Sequence, residues 1–192
     1  FISNNQCDST EYLLFILECI HECDKKVITN LCESKNIHTY ISSDGLYREE
    51  TVSSDWIRYI CVPNKPTVSL EECLDYTYAS EKIEKMNDKI NKQQSYIKHN
   101  KITQNPIVLI LQYNSFESLI HAPDILDISP YSDIPDKYEL FGLINHVGDK
   151  SSGHYFTYIK HMNYWLVYDD AMKKKILNIS PMHNYCMFYR KI

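Results

Sequence analysis

Apolar side chains at Tyr12, Leu13, Ile16, Leu17 and Ile20 recur at the three- and four-residue spacing that lines one face of a helix. Residues 9 to 22, STEYLLFILECIHE, are therefore predicted to form an amphipathic helix. Asp8 or Ser9 can cap its start. From about 27 to 62 the pattern breaks into short β-like pieces, IHTYIS and WIRYICV, separated by the turn SSDG. A second helix is predicted in TVSLEECLDYTYA. It follows two prolines, and Ser69 at the cap with Glu72 three residues later spells a capping box. Residues 81 to 101 carry dense charge and sparse apolar positions, which predicts an exposed helix or mobile arm, a polar insert that packs little. PIVLILQY, a short branched run beginning at Pro106, is predicted to be a buried strand.

The last third alternates differently. YELFGLINHVG, HYFTYIKH, YWLVYDD and YCMFYRK are four β-rich runs with short connections, and Met162–Asn163 between the second and third predicts a tight hairpin in an antiparallel sheet. The connections GDKSSG and DDAMKKK are predicted loops, where a rigid sheet presents chemistry to solvent. At 192 residues the chain suits one domain over residues 1–192, or a domain with an inserted subdomain. No apolar stretch approaches the roughly 20 residues needed to cross a bilayer, so no membrane partner is expected. The net charge of −5 is spread along the chain, and the basic run at 173 to 175 is short, which argues against nucleic acid as a partner. Seven cysteines without one C-x-x-C pair predict reduced thiols in the cytoplasm or nucleus, with no metal site and no cofactor. The chain starts at Phe1 without a signal-like segment, and FISNNQ runs straight into the helical pattern, as in a fragment of a longer reading frame.

The sequence SSGHYFTYIKHMNYWLVYDD concentrates the candidate chemistry. A chain with only four glycines places one, Gly153, directly before His154, and the hairpin that follows ends in Asp169 and Asp170. A histidine base needs a neighbour that fixes its tautomer and supports the imidazolium, and a carboxylate at the end of the adjacent strand does both. Antiparallel pairing across Met162–Asn163 brings the start of one strand near the end of the other, and so His154 near Asp169. Taken alone, the same pattern is better described as an ordinary hairpin with a polar edge, because His and Asp at strand ends are common.

Several blocks in order resemble the ubiquitin-specific protease family of cysteine deubiquitinases. QCDSTEYLLFILECIHE resembles the family's Gln-Gln-Asp box, TVSLEECL its Ser-Leu-Glu-x-Cys-Leu element, and NPIVLILQYNSF its Pro-x-Val-Leu strand. YELFGLINHVG, GHYFTYIK and WLVYDD resemble the histidine box, and FYRK the closing strand. The resemblance implies an α+β fold with a papain-like cysteine protease core, a helical part and an antiparallel sheet. It implies His154 as general base, Asp169 as third triad member, Asp170 as an acidic neighbour sharing the orienting role, and Tyr155 lining the channel for ubiquitin's Gly-Gly tail. Gln6, Asp8 and Glu11 become substrate-binding candidates. Two of them are carboxylates near one helix end, apt for the arginines of that tail, although Asp8 as a plain cap and Glu11 as a solvated side chain account for the same residues.

The departures from the family pattern are equally informative. The family's nucleophile lies in a Gly-Asn-Thr-Cys-Tyr block upstream of the Gln-Gln-Asp box, and this sequence contains no such block. The domain is thus expected to be N-terminally incomplete. The zinc-binding Cys pairs of the family's fingers are replaced by LCESKNIHTY and INKQQSYIKHN, which implies zinc-free, reduced fingers. The second Gln of the box is Cys7, an alternative nucleophile beside a helix start, but the adjacent Asp8 opposes its thiolate. Cys19, Cys23, Cys61, Cys73 and Cys186 read as small buried apolar residues, and Cys32 lies in a loop region. His146 reads either as part of the cleft or as a structural hydrogen-bonding residue. The resemblance implies a thiol-dependent deubiquitinase acting on ubiquitin and ubiquitinated proteins. The alternative is a ubiquitin-binding pseudoprotease that serves as a scaffold.

Overall fold

The structure, a computed structural model, describes residues 8–113, 118–148, 152–179 and 184–192. The predicted first helix forms as α1, Ser9–Cys23, with the Asp8 carboxylate accepting the amide hydrogens of Thr10 and Glu11 at 2.7 and 3.3 Å. It is followed at once by α2, Lys25–Cys32, which the sequence pattern did not reveal because eight residues carry too few repeats to show a period. Two strands then form a hairpin, β1 (Ser34–Ser42) and β2 (Arg48–Asp55). Short strands β3 (Arg58–Ile60) and β4 (Thr67–Ser69) lead into α3, Leu70–Tyr78. The capping box is complete: Ser69 Oγ accepts from the Glu72 amide at 3.1 Å, and the Glu72 carboxylate accepts from the Ser69 amide at 2.9 Å.

Residues 81 to 101 do not form a helix or mobile arm. They fold as β5 (Glu81–Asn87) and most of β6 (Lys92–Gln104), which complete a four-stranded sheet in the order β2-β1-β6-β5. Charged side chains on an outlying sheet obscure the period-2 signal, because both faces of its outer strands tolerate polar residues. His38 ties this sheet across three strands, its Nδ1 2.7 Å from Asn100 Oδ1 and its Nε2 3.0 Å from Ser53 Oγ. These contacts occupy the outlying sheet in which the resemblance implied fingers.

The main sheet is built from β7 (Val108–Tyr113), β10 (Lys137–Gly148), β11 (Gly153–His161), β12 (Tyr164–Asp169), β13 (Met172–Ile176) and β14 (Asn184–Lys191). Its order is β13-β12-β11-β10-β14-β7-β3, with β9 (Ile125–Asp127) paired to β10 and β8 (Leu119–His121) paired separately with β4. All pairings in this sheet are antiparallel except β3 with β7. The segment DDAMKKK is a correction: most of it is the edge strand β13 rather than a loop, its lysines exposed as suits an edge that must not recruit further strands.

The continuous run in β7 has a simple cause, since both faces of the sheet are covered. Leu109, Leu111 and Tyr113 join Leu70, Leu74, Leu140, Met187 and Tyr189 in the larger core, while Ile110 and Cys186 meet Leu17, Ile28 and Cys32 from the helices on the other face. Of the face predicted for α1, only Leu17 is buried, at 6%, whereas Tyr12 is 52% exposed and Ile16 and Ile20 are also exposed. The cysteine expectation divides in the same way. Cys73 and Cys186 are buried, Cys32 is buried on α2, and Cys19, Cys23 and Cys61 are exposed because they lie on surfaces the described residues do not cover. Burial raises the Cys73 thiol to about 12, well out of reach of ionisation at neutral pH.

Ser69→Ala removes one arm of the capping box and is expected to lower stability by about 1 kcal/mol. Urea unfolding measures this, and an unchanged midpoint would show that α3 is held by packing alone.

Candidate active site

His154 is the second residue of β11 and Asp169 the last of β12. The two strands pair Thr157 with Tyr168 and Tyr158 with Val167, a register that sets Phe156 opposite Asp169 when continued by one step. His154 is two residues from Phe156 and so shares its face, which makes His154 and Asp169 a diagonal pair within side-chain reach. Their contact is a 2.5 Å hydrogen bond between His154 Nε2 and Asp169 Oδ1. An ionised carboxylate has no hydrogen to give, so Nε2–H is the donor and Nδ1 is the basic nitrogen of the neutral ring.

Both side chains are partly open to solvent, 48% for His154 and 33% for Asp169. The hydrogen bond to Asp169 raises the His154 pKa above the ordinary histidine value. Desolvation opposes the shift, and the charges of Asp169 and then Asp170 add to it. Asp170 occupies the first position of the turn into β13 with φ +47°, a left-handed conformation that aspartate tolerates better than most residues. Ligand atoms of His154, Asp169 and Asp170 lie within 4.8 Å of one another. As an exposed acidic cluster, this trio gives no independent sign of a metal ion, and Nε2 of the histidine is already engaged by Asp169.

The second group of predicted residues lies at the start of α1. Asp8 Oδ1 caps the helix and Oδ2 accepts the Tyr185 hydroxyl hydrogen, while Tyr185 itself accepts from Gln112 Nε2 at 3.1 Å. Burial and this bond to Asp8 push the Tyr185 phenol far up, so it remains a donor at neutral pH. Tyr155, on the strand that carries His154, has its ring 5.6 Å from that of Tyr185, and burial followed by the Asp8 charge raises its pKa. The structure thus brings Asp8 and Tyr155 together around Tyr185, and leaves Glu11 exposed on the first turn of α1. Gln6 and Cys7 lie outside the described residues. Sequence reasoning missed Tyr185 and Gln112. The signal for Gln112 is a polar position in the otherwise apolar buried run of β7, and its link to Tyr185 becomes legible once β7 and β14 are known to be neighbours.

The family described as ubiquitin carboxyl-terminal hydrolase matches residues 1–189. Ubiquitin carboxyl-terminal hydrolase 8 of Saccharomyces cerevisiae is 24% identical over 232 aligned positions, covering 96% of this chain and 49% of the relative. Ubiquitin carboxyl-terminal hydrolase 22 of Bos taurus is 39% identical over a shorter stretch of 59 residues, 29% of this chain and 12% of the relative. Among solved structures, the SAGA Ubp8/Sgf11/Sus1/Sgf73 DUB module bound to ubiquitin aldehyde contains a chain that matches with a TM-score of 0.84 at 22% identity, over 97% of this chain and 50% of that one. A structure of the Ubp8-Sgf11-Sgf73-Sus1 module matches with a TM-score of 0.82. The fold is that of these α+β, papain-like domains, and the chain spans about half the length of the yeast relative.

NMR titration of carbon-labelled histidine is expected to find the His154 midpoint above the ordinary value of about 6.5. Asp169→Asn should lower it, and Asp170→Asn should lower it less. The stability contributed by the pair is present below the unfolded-state pKa and is lost as pH rises through the raised one. A His154 midpoint that ignores Asp169→Asn would break the pairing.

Proposed function

Because the chain belongs to the ubiquitin carboxyl-terminal hydrolase family, we propose that it carries the base and part of the substrate grip of a thiol-dependent deubiquitinase. The bond cleaved is the peptide or isopeptide bond after the carboxy-terminal glycine of ubiquitin, in ubiquitinated proteins or ubiquitin precursors. The single observation that supports this most is the 2.5 Å contact of His154 Nε2 with Asp169, which fits a neutral ring with Nδ1 as its basic nitrogen. The domain is read as residues 1–192 of a catalytic unit whose nucleophilic cysteine belongs to a block this sequence does not contain.

In this reading His154 Nδ1 takes the proton of the cysteine thiol, the thiolate attacks the carbonyl carbon of the terminal glycine, and the imidazolium returns the proton to the departing lysine amine. Water then releases ubiquitin from the acyl-enzyme with His154 again as base. Asp169 fixes the ring and supports its positive charge, and Asp170 adds a weaker electrostatic contribution. A raised His154 pKa favours the thiolate–imidazolium pair over the neutral pair near pH 7. Asp8, immobilised by Tyr185 and the helix cap, together with Gln6, the exposed Glu11 and Tyr155, would hold the basic ubiquitin tail. No helix among the described residues is long and apolar enough to cross a membrane. The thiol-rich composition fits a reducing compartment, the cytoplasm or nucleus.

The test reacts the full-length protein with ubiquitin bearing a carboxy-terminal electrophile and maps the modified residue by mass spectrometry. An adduct on a cysteine outside residues 1–192, with turnover reduced about 10²- to 10⁴-fold by His154→Ala, is the expected result. An adduct on Cys7 would move the nucleophile, and ubiquitin binding without any adduct would make the protein a pseudoprotease.

A further inference from the structure

Gly153 sits in extended strand with no left-handed torsion to explain it; the positive-φ glycines of the described residues are Gly45 and Gly148. The reason for a glycine here is space. A Cβ at Gly153 would lie 2.1 Å from His146 Nε2, 2.4 Å from His146 Cε1 and 2.8 Å from the Val147 carbonyl oxygen. The imidazole of His146 thus rests directly against the backbone of the residue that precedes the proposed base.

His146 has little room to retreat. It is 6% exposed, and its ring centroid is 4.6 Å from that of Tyr155 and 6.2 Å from that of Tyr185. The ladder places His146 opposite Tyr155, Val147 opposite His154 and Gly148 opposite Gly153. One ring therefore touches the backbone before His154 and the side chain after it, while His154 itself points to the other face of the strand, toward Asp169. A residue held on both sides has fewer backbone states open to it, and hydrogen-bond geometry near 2.5 Å is steep in position.

We propose that His146 is a positioning residue for His154, a buried ring that fits the absent side chain of Gly153 and fixes the strand segment from which the base projects. The inference rests on the proposed role of His154 as base, but the contact acts on His154 geometry whether or not that role is correct. Its cause is specific: the vacancy at Gly153 and the ring at His146 are complementary shapes, so altering either should disturb His154 in the same way.

Four variants, His146→Ala, Gly153→Ala, the double variant and His146→Phe, test this by NMR titration of His154 in the protein, with circular dichroism as a check of folding. His146→Ala and Gly153→Ala are each expected to lower the His154 midpoint and weaken its response to Asp169→Asn. In the double variant the added methyl occupies the space left by the ring, so Gly153→Ala should cause little further loss. His146→Phe keeps a flat ring and should retain more of the coupling than His146→Ala. In the full-length protein, His146→Ala should reduce kcat by up to about a hundredfold with KM little changed. An unaltered His154 midpoint in a folded His146→Ala variant, or an equal effect of Gly153→Ala with and without His146, would overturn the inference. If His146→Ala does not fold, the comparison of Gly153→Ala with wild type and with His146→Phe decides, since an unchanged midpoint in Gly153→Ala removes the proposed fit. If the titrations behave as expected while His154→Ala leaves turnover intact, the positioning stands and the assignment of His154 as base falls.

Discussion

Strand register is the constraint on which the site depends. His154 and Asp169 are fifteen positions apart and become one hydrogen-bonded unit because β11 and β12 pair antiparallel through a two-residue turn. A slip of one residue would send every side chain of one strand to the opposite face and leave His154 without its carboxylate. Met162 accepts a φ of +53° in that turn, a conformation that costs a non-glycine residue roughly 1 kcal/mol. The ladder on both sides of β11 offsets that cost. The loop end of the hairpin is thus strained so that its open end can hold the chemistry.

A second constraint is the burial of the central strands on both faces. β7 and β14 alternate their apolar side chains between the α3 side and the α1–α2 side, so neither strand can shift without opening both cores. The polar exceptions within this layer are concentrated near the site. Gln112, Tyr185 and Asp8 form a hydrogen-bonded series that runs from the sheet to the cap of α1. Buried polar groups of this kind are costly unless partnered, and here the partnering has a geometric result: the helix start is fixed relative to the strands that carry Gln112 and Tyr185.

The four-stranded sheet obeys a different economy. It has few fully buried apolar residues and depends on cross-strand side-chain bonds, with His38 linking β2, β1 and β6 and Lys85 reaching Glu49 at 2.6 Å. Arg58, 7% exposed, joins this sheet to the main one through Asn36 Oδ1 and to α3 through the Tyr78 hydroxyl. Polar sheets of this type specify their pairing by side-chain geometry more than by burial, which is why their strands are hard to read from hydrophobic pattern.

What the sequence determined by itself was local. The period of apolar residues placed α1, the Ser69 and Glu72 spacing placed α3, the branched run after Pro106 placed β7, and the Met162–Asn163 dipeptide placed the hairpin that pairs His154 with Asp169. These signals survive because each arises within a few residues, from capping, turn chemistry or a strong burial pattern. Only the tertiary structure decided that residues 81 to 101 are strands, that 172 to 176 is an edge, that most of the apolar face of α1 is exposed, and that Tyr185 holds Asp8. It also decided why Gly153 is a glycine, since the ring that excludes a side chain there belongs to the neighbouring strand. Each of these depends on which strands become neighbours, and a contact across strands leaves no period in the chain that makes it.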